Sequence, residues 1–116
     1  MMMHCMAKTF NFKSYIVAIL RRASYRNPQR SEALRRARIA RNMYVCNSCG
    51  DKKGRKEIAV DHINPVVPVT GWVSFDDFIY RLFCGVDQLQ VLCKICHKVK
   101  SKAENKERRA NGRRTN

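Results

Sequence analysis

Residues 87–100 read Asp87-Gln88-Leu89-Gln90-Val91-Leu92-Cys93-Lys94-Ile95-Cys96-His97-Lys98-Val99-Lys100. Leu89 and Val91 alternate with Gln88 and Gln90, the period of a half-buried strand, and the strand runs straight into a C-x-x-C pair. Cys96-His97 then opens a lysine-rich helix. A second pair, Cys46-x-x-Cys49, stands upstream. Two such pairs supply four thiolates as two knuckles, which suits a closed tetrahedral zinc site with no position left for chemistry. A site of that kind contributes folding energy directly and would staple the first hairpin to the last helix in a chain with little core. A redox pair should sit in a thioredoxin-like pattern, and the presence of two pairs argues against it. Cys84 falls on the apolar face of a short helix and reads as a buried thiol.

Between the knuckles, Asp51-Lys52-Lys53-Gly54 reads as a hairpin turn leading into the strand Glu57-Ile58-Ala59-Val60, which delivers Asp61-His62. Asn64-Pro65 and Pro68 stop regular structure. Ser74 with Asp77 makes a capping-box-like start to a short helix whose Phe78, Ile79, Leu82 and Phe83 should face inward, with Trp72 and Phe75 packed beside it. Upstream, Phe12, Ile16, Ile19, Leu20 and Ala23 form one stripe of an amphipathic helix that ends near Arg21, Arg22 and Arg26. Asn27-Pro28 breaks it, and a second helix is expected from Pro28 through Arg41, with Ala33, Ala37 and Ala40 as its seam. Met1 to Met6 has no periodicity, and His4 and Cys5 are given no metal role.

The chain has 116 residues, one domain's worth, with 24 Lys and Arg against 9 Asp and Glu, a formal charge of +15. By segment the balance is +9 over residues 1–45, zero over 46–97 and +6 over 98–116. A neutral centre on two cationic flanks is the pattern of a chemical core carried on phosphate-neutralising arms, so nucleic acid is the leading partner. Arg35, Arg36 and Arg38 on the second helix, and Lys98, Lys100 and Lys102 on the last, are the candidate phosphate contacts. The tail from 104 to 116 reads as a disordered basic arm. The longest apolar run, Tyr15 to Leu20, is far short of the ~18 residues that cross a bilayer, and neither flank has the aromatic face of an interfacial helix. The chain reads as soluble and intracellular, in a reducing compartment, without a membrane partner.

Zinc binding would bring together Asp61-His62 and His97, an acid and two imidazoles far apart in sequence. The pattern Cys46-x-x-Cys49, Asp61-His62-Ile63, Asp87-Gln88-Leu89-Gln90, Cys93-x-x-Cys96-His97-x-x-Lys100 resembles the motif of the HNH endonucleases, which share the ββα-metal fold. Tyr44-Val45 and Phe78-Ile79-Tyr80-Arg81-Leu82-Phe83 are similar to stretches of small free-standing HNH nucleases of tailed phages. The resemblance implies metal-dependent hydrolysis of DNA phosphodiesters, by nicking or double-strand cleavage, leaving 5′-phosphate and 3′-hydroxyl ends. It implies His62 as general base, and Asp61 and His97 as holders of one divalent ion, magnesium or manganese. An imidazole changes charge close to physiological pH, as a base at that position requires.

Where the family has an asparagine this chain has Gln88, which keeps the carboxamide but adds a methylene, so the loop that orients the base is expected to be held more loosely. Asp61 and His62 are neighbours on a strand, where side chains alternate faces, so they are expected to cooperate only if the strand bends. The reading is therefore an α+β, zinc-stapled ββα-metal domain over 43–103, with a basic helical extension over 1–42. It would act on duplex DNA in the cytoplasm, that of the host if the gene is a phage's, as a monomer or weak dimer, with docking to a phage protein left open. The rival is a catalytically silent zinc DNA-binding accessory of phage packaging or recombination.

Overall fold

A computed structural model describes residues 10–115, so His4 and Cys5 lie outside the described residues. Helix α1 (Phe12–Ser24) starts at Asn11, whose side chain accepts from the Ser14 amide at 3.0 Å. Helix α2 (Pro28–Ala37) has the expected proline in its first turn and is capped by Asn27, which accepts from the Gln29 amide at 3.1 Å. Contrary to expectation, α2 stops at Ala37, and Arg38–Ala40 forms a strand, β1, paired with β2 (Met43–Val45). The Ala- and Arg-rich sequence favours helix, but pairing of Arg38 with Tyr44 overrides propensity. Asn42, at φ 52°, makes the tight turn between the strands. Ala40 is consequently exposed, and of the expected seam only Ala33 is fully buried.

β3 (Lys52–Lys53) completes the first sheet in the order β1-β2-β3. The second sheet consists of β4 (Ile58–His62) and β5 (Leu89–Cys93), antiparallel from Ile58 opposite Cys93 to His62 opposite Leu89. Between them lies α3 (Phe75–Leu82), capped by the Ser74 hydroxyl, which accepts from the Asp77 amide at 3.1 Å. β4, β5 and the following helix α4 (Lys94–Thr115) form a ββα unit, and the chain is α+β as expected.

Helix α2 packs across β5, and the buried apolar side chains are Ala33 of α2, Phe78 and Leu82 of α3, and Ile58, Leu89, Val91 and Leu92 of the second sheet. Trp72 packs on Phe78 at 5.3 Å and on Phe75 at 5.2 Å between ring centroids. Ile79 and Phe83 do not join them: both are exposed, because the buried face of this two-turn helix is narrower than its apolar stripe. Cys84 lies just beyond the helix rather than on its apolar face, and the expected buried thiol is half-buried. The N-terminal helices are tied to the segment before β5: Asn27 donates to the Cys84 carbonyl at 3.3 Å, and the Val86 amide donates to the Gln29 side chain at 2.9 Å.

The expected disordered arm is helical, since α4 runs unbroken across residue 103 to Thr115. Arg108 and Asn111 on its distal half donate to the Val67 and Val69 carbonyls, each at 3.0 Å, and so hold the loop that follows β4. A chain ending at Ala103 is expected to keep its metal content but lose this clasp. Two hydrogen bonds at about 0.5–1.5 kcal/mol each correspond to amide exchange roughly five- to a hundredfold faster in the 66–72 segment, readable by hydrogen-exchange mass spectrometry. Unchanged exchange there would refute the clasp.

Candidate zinc staple and active site

The first knuckle is a turn in which the Gly50 amide donates to the Cys46 carbonyl at 3.0 Å, and Gly50 takes φ 78°, a conformation that favours glycine. The Asn47 amide donates to the Val91 carbonyl at 2.8 Å, which fastens this knuckle to β5. The second knuckle spans the end of β5 and the first turn of α4, where the Cys96 amide points at the Cys93 sulfur at 3.4 Å. The four sulfurs of Cys46, Cys49, Cys93 and Cys96 lie within 4.8 Å of one another. Cys49 and Cys93 are 3.9 Å apart, close to the ~3.8 Å edge of a tetrahedron with zinc–sulfur bonds of about 2.3 Å. The cluster fits a structural zinc site.

Its protonation chemistry agrees. Burial opposes ionisation of Cys46, but amide groups of Cys49, Cys93 and Ser48 outweigh it and hold the thiol down at about 6. Cys96 is pushed up to about 12, first by its hydrogen bond with Cys93, then by burial and the other two sulfurs. Four sulfurs this close cannot all ionise without a cation among them, and a dication resolves the conflict.

Directly after Cys96, His97 turns its Nε2 toward Asp61 Oδ1 at 3.5 Å. The other carboxylate oxygen, Oδ2, accepts from Gln90 Nε2 at 3.2 Å and pairs with Lys100 Nζ at 3.0 Å. Gln90 is in turn fixed by Asn47 of the first knuckle, which donates to its Oε1 at 3.0 Å. A hydrogen-bond chain thus runs from the zinc knuckle to Asp61. Asp61 is well shielded at 14% side-chain exposure, and His97 is open at 40%. His62 points elsewhere: its Nε2 lies 3.0 Å from the Leu82 carbonyl at the end of α3. A carbonyl only accepts, so Nε2 is the donor and the neutral ring keeps its lone pair on Nδ1. The expected bend at Asp61-His62 is absent, for the ladder continues through His62 and the Ile63 amide donates to the Gln88 carbonyl at 2.9 Å. The two residues nonetheless border one open concavity at the strand's end.

A probable HNH endonuclease of Lactococcus phage SK1 is 34% identical over 87 residues, which span 75% of this chain and 85% of the relative. The chain belongs to the HNH endonuclease family. No protein-family model matches it, and no solved structure matches it.

In this HNH chain the middle position, Gln88, contacts the turn that follows His62. Its carbonyl takes the Ile63 amide, and its side-chain oxygen accepts from Asn64 Nδ2 at 3.3 Å. The longer carboxamide therefore still braces the turn after His62, with Asn64 as its partner. Lys100 differs from the outward lysine expected of it: besides Asp61 it donates to Glu104 at 2.7 Å and to the His62 carbonyl at 3.0 Å. Burial opposes its charge, but the hydrogen bonds and charges of Glu104 and Asp61 outweigh that and hold its pKa above the usual value. Lys98 and Lys102 are exposed.

The arginines of the second helix are also engaged. Arg35 and Arg36 pair with Glu32 at 2.7 and 3.2 Å, and Arg36 reaches Asp87 at 3.3 Å. Hydrogen bonding from Arg35 above all holds Glu32 down at about 2. Arg38 lies on β1 and donates to the Ala40 carbonyl at 3.3 Å, so the three do not form one helical face. The sequence alone points to no role for Gln90, Asn47 or Glu104. The cross-strand pairing of Asp61 with Gln90 is what selects Gln90, and it requires the register.

Proposed function

We propose that this HNH protein is a metal-dependent endonuclease that hydrolyses phosphodiester bonds of duplex DNA, with His62 as general base and Asp61 and His97 holding one divalent ion, magnesium or manganese. One observation carries the reading: the Asp61 carboxylate is divided, with Oδ2 fastened by Gln90 and Lys100 and Oδ1 left toward the exposed His97 nitrogen at 3.5 Å. Two donors at an open edge suit a hard cation that keeps water and phosphate as its other ligands. An ion held there supplies Lewis acidity to the phosphodiester and offsets charge on the leaving oxygen.

The chain's own residues do the rest. His62 Nδ1 takes the proton of a water as its oxygen bonds to phosphorus and the bond from phosphorus to the 3′ oxygen breaks. The 3′ oxygen is protonated from solvent, so the products are a 5′-phosphate and a 3′-hydroxyl. Gln88 and Asn64 steady the turn behind His62, while Lys98 and Lys102 neutralise backbone phosphates without reading sequence. Among the described residues no helix is long and apolar enough to cross a membrane.

The test is supercoiled plasmid incubated with the purified protein. Nicking is expected with added magnesium or manganese, to stop on brief chelation, and to resume when the ion is restored. DNA binding without nicking under any divalent ion would make the chain a silent zinc accessory instead.

A further inference from the structure

We propose that Arg21, on the N-terminal helix α1, binds the reacting phosphodiester opposite Asp61 and His62, so that the extension completes the active site. The inference rests on the nuclease reading above. The concavity at the end of β4 has a volume of about 460 Å³ and is lined by Asp61, His62, Lys100, Glu104, Arg108 and Arg21 among others. Three cations therefore reach it, from both ends of the chain.

Two of the three are already committed to protein acceptors. Lys100 bonds Asp61, Glu104 and the His62 carbonyl. Arg108 donates to Asn105 at 2.9 Å and to the Val67 carbonyl at 3.0 Å. Arg21 makes a different contact: its guanidinium carbon lies 5.5 Å from the ring centroid of Phe78, which is 1% exposed. Among the described residues its guanidinium makes no hydrogen bond and no ion pair. A guanidinium held over an aromatic face keeps its edge of N–H donors available, and that fork matches two phosphate oxygens.

The backbone that carries it is fixed as well. Arg21 is in the last turn of α1, where its carbonyl accepts from the Ser24 hydroxyl at 2.6 Å. α1 is also joined to the loop before α3 through Lys13, whose ammonium lies 3.9 Å from the Trp72 ring centroid. Charge favours an anion here. Asp61 and Glu104 are both paired with Lys100, so Arg21 and Arg108 give the concavity a surplus of positive charge. A phosphodiester carries one negative charge and gathers more on its non-bridging oxygens in the transition state, where a preplaced donor has its largest effect.

The experiment compares the full chain with Arg21→Ala, Arg21→Lys and Arg22→Ala, the last an exposed neighbour that does not line the concavity. It measures plasmid nicking at saturating protein, binding of a short DNA duplex without added divalent ion, and the thermal melt. Arg21→Ala is expected to nick roughly a hundredfold more slowly, the loss typical of one transition-state donor, while duplex binding changes by less than about threefold. Arg21→Lys should recover part of the rate, because a lysine restores the charge without the fork. Arg22→Ala should match the parent. Nicking by Arg21→Ala within about threefold of the parent would overturn the inference, as would equal losses of nicking and binding, which mark a general phosphate contact. If the melt and the rate fell together and Arg21→Lys restored both in full, Arg21 would be structural, which would overturn the inference. A parent that binds DNA but never nicks would defeat the nuclease reading itself, and the inference with it.

Discussion

A Cys93→Ser chain is expected to lose its native fold together with its metal. Cys93 is the last residue of β5, opposite Ile58 of β4, and is 3% exposed. Its sulfur lies 3.9 Å from that of Cys49 and is the atom to which the Cys96 amide points. At this end of the molecule Cys46, Leu92 and Cys93 make the buried cluster, with Cys96 packed against it, so the sulfurs are themselves most of the local core. Structural zinc contributes an apparent ~10–16 kcal/mol in small domains, against a net stability of about 5–15 kcal/mol for a typical fold. Losing one of four thiolates thus removes an amount comparable to the whole. The parent should carry one zinc per chain and melt cooperatively, whereas Cys93→Ser should carry none and show no cooperative transition by circular dichroism. Cys84→Ser, outside the cluster, should keep both. A Cys93→Ser protein that is folded and free of zinc would refute the staple.

The cysteine cluster is legible in the sequence because two C-x-x-C pairs have the ligand spacing of a four-cysteine zinc site. The ββα unit is legible for a related reason, since the alternation at Leu89 and Val91 and the run from Ile58 to Val60 are strand periods bounded by turn residues. Features that depend on partners distant in sequence are not. α2 ends at Ala37 because β1 pairs with β2, although each residue from Arg38 to Arg41 taken locally continues a helical pattern. α4 persists through a polar, highly charged stretch because Lys100 pairs with Glu104 one turn on, and because Arg108 and Asn111 find carbonyls on a loop some forty residues upstream. The site divides in the same way. Asp61, His62 and His97 can be named from their motif, whereas Gln90, which holds Asp61, and the Leu82 carbonyl, which orients His62, are fixed only by the sheet register and the docking of α3.

That orientation sets the second large effect. His62→Ala should nick plasmid about 10²–10⁴-fold more slowly than the parent, the usual contribution of a positioned general base, with zinc content and duplex binding retained. The fold should survive because the ladder between β4 and β5 is made by backbone groups, and the side chain's bond to the Leu82 carbonyl, 3.0 Å long, is worth only about 0.5–1.5 kcal/mol. His97→Ala should also remain folded, since Cys96 rather than His97 belongs to the sulfur cluster, but its defect should differ in kind. With one of two donors gone, the divalent ion concentration needed for half-maximal nicking should rise, and excess ion should recover part of the rate. No amount of ion should rescue His62→Ala, because the lone pair on Nδ1 has no substitute within the described residues. Nicking by His62→Ala at the parent's rate would strip His62 of its role, and rescue of that variant by metal would place His62 among the ion's ligands instead.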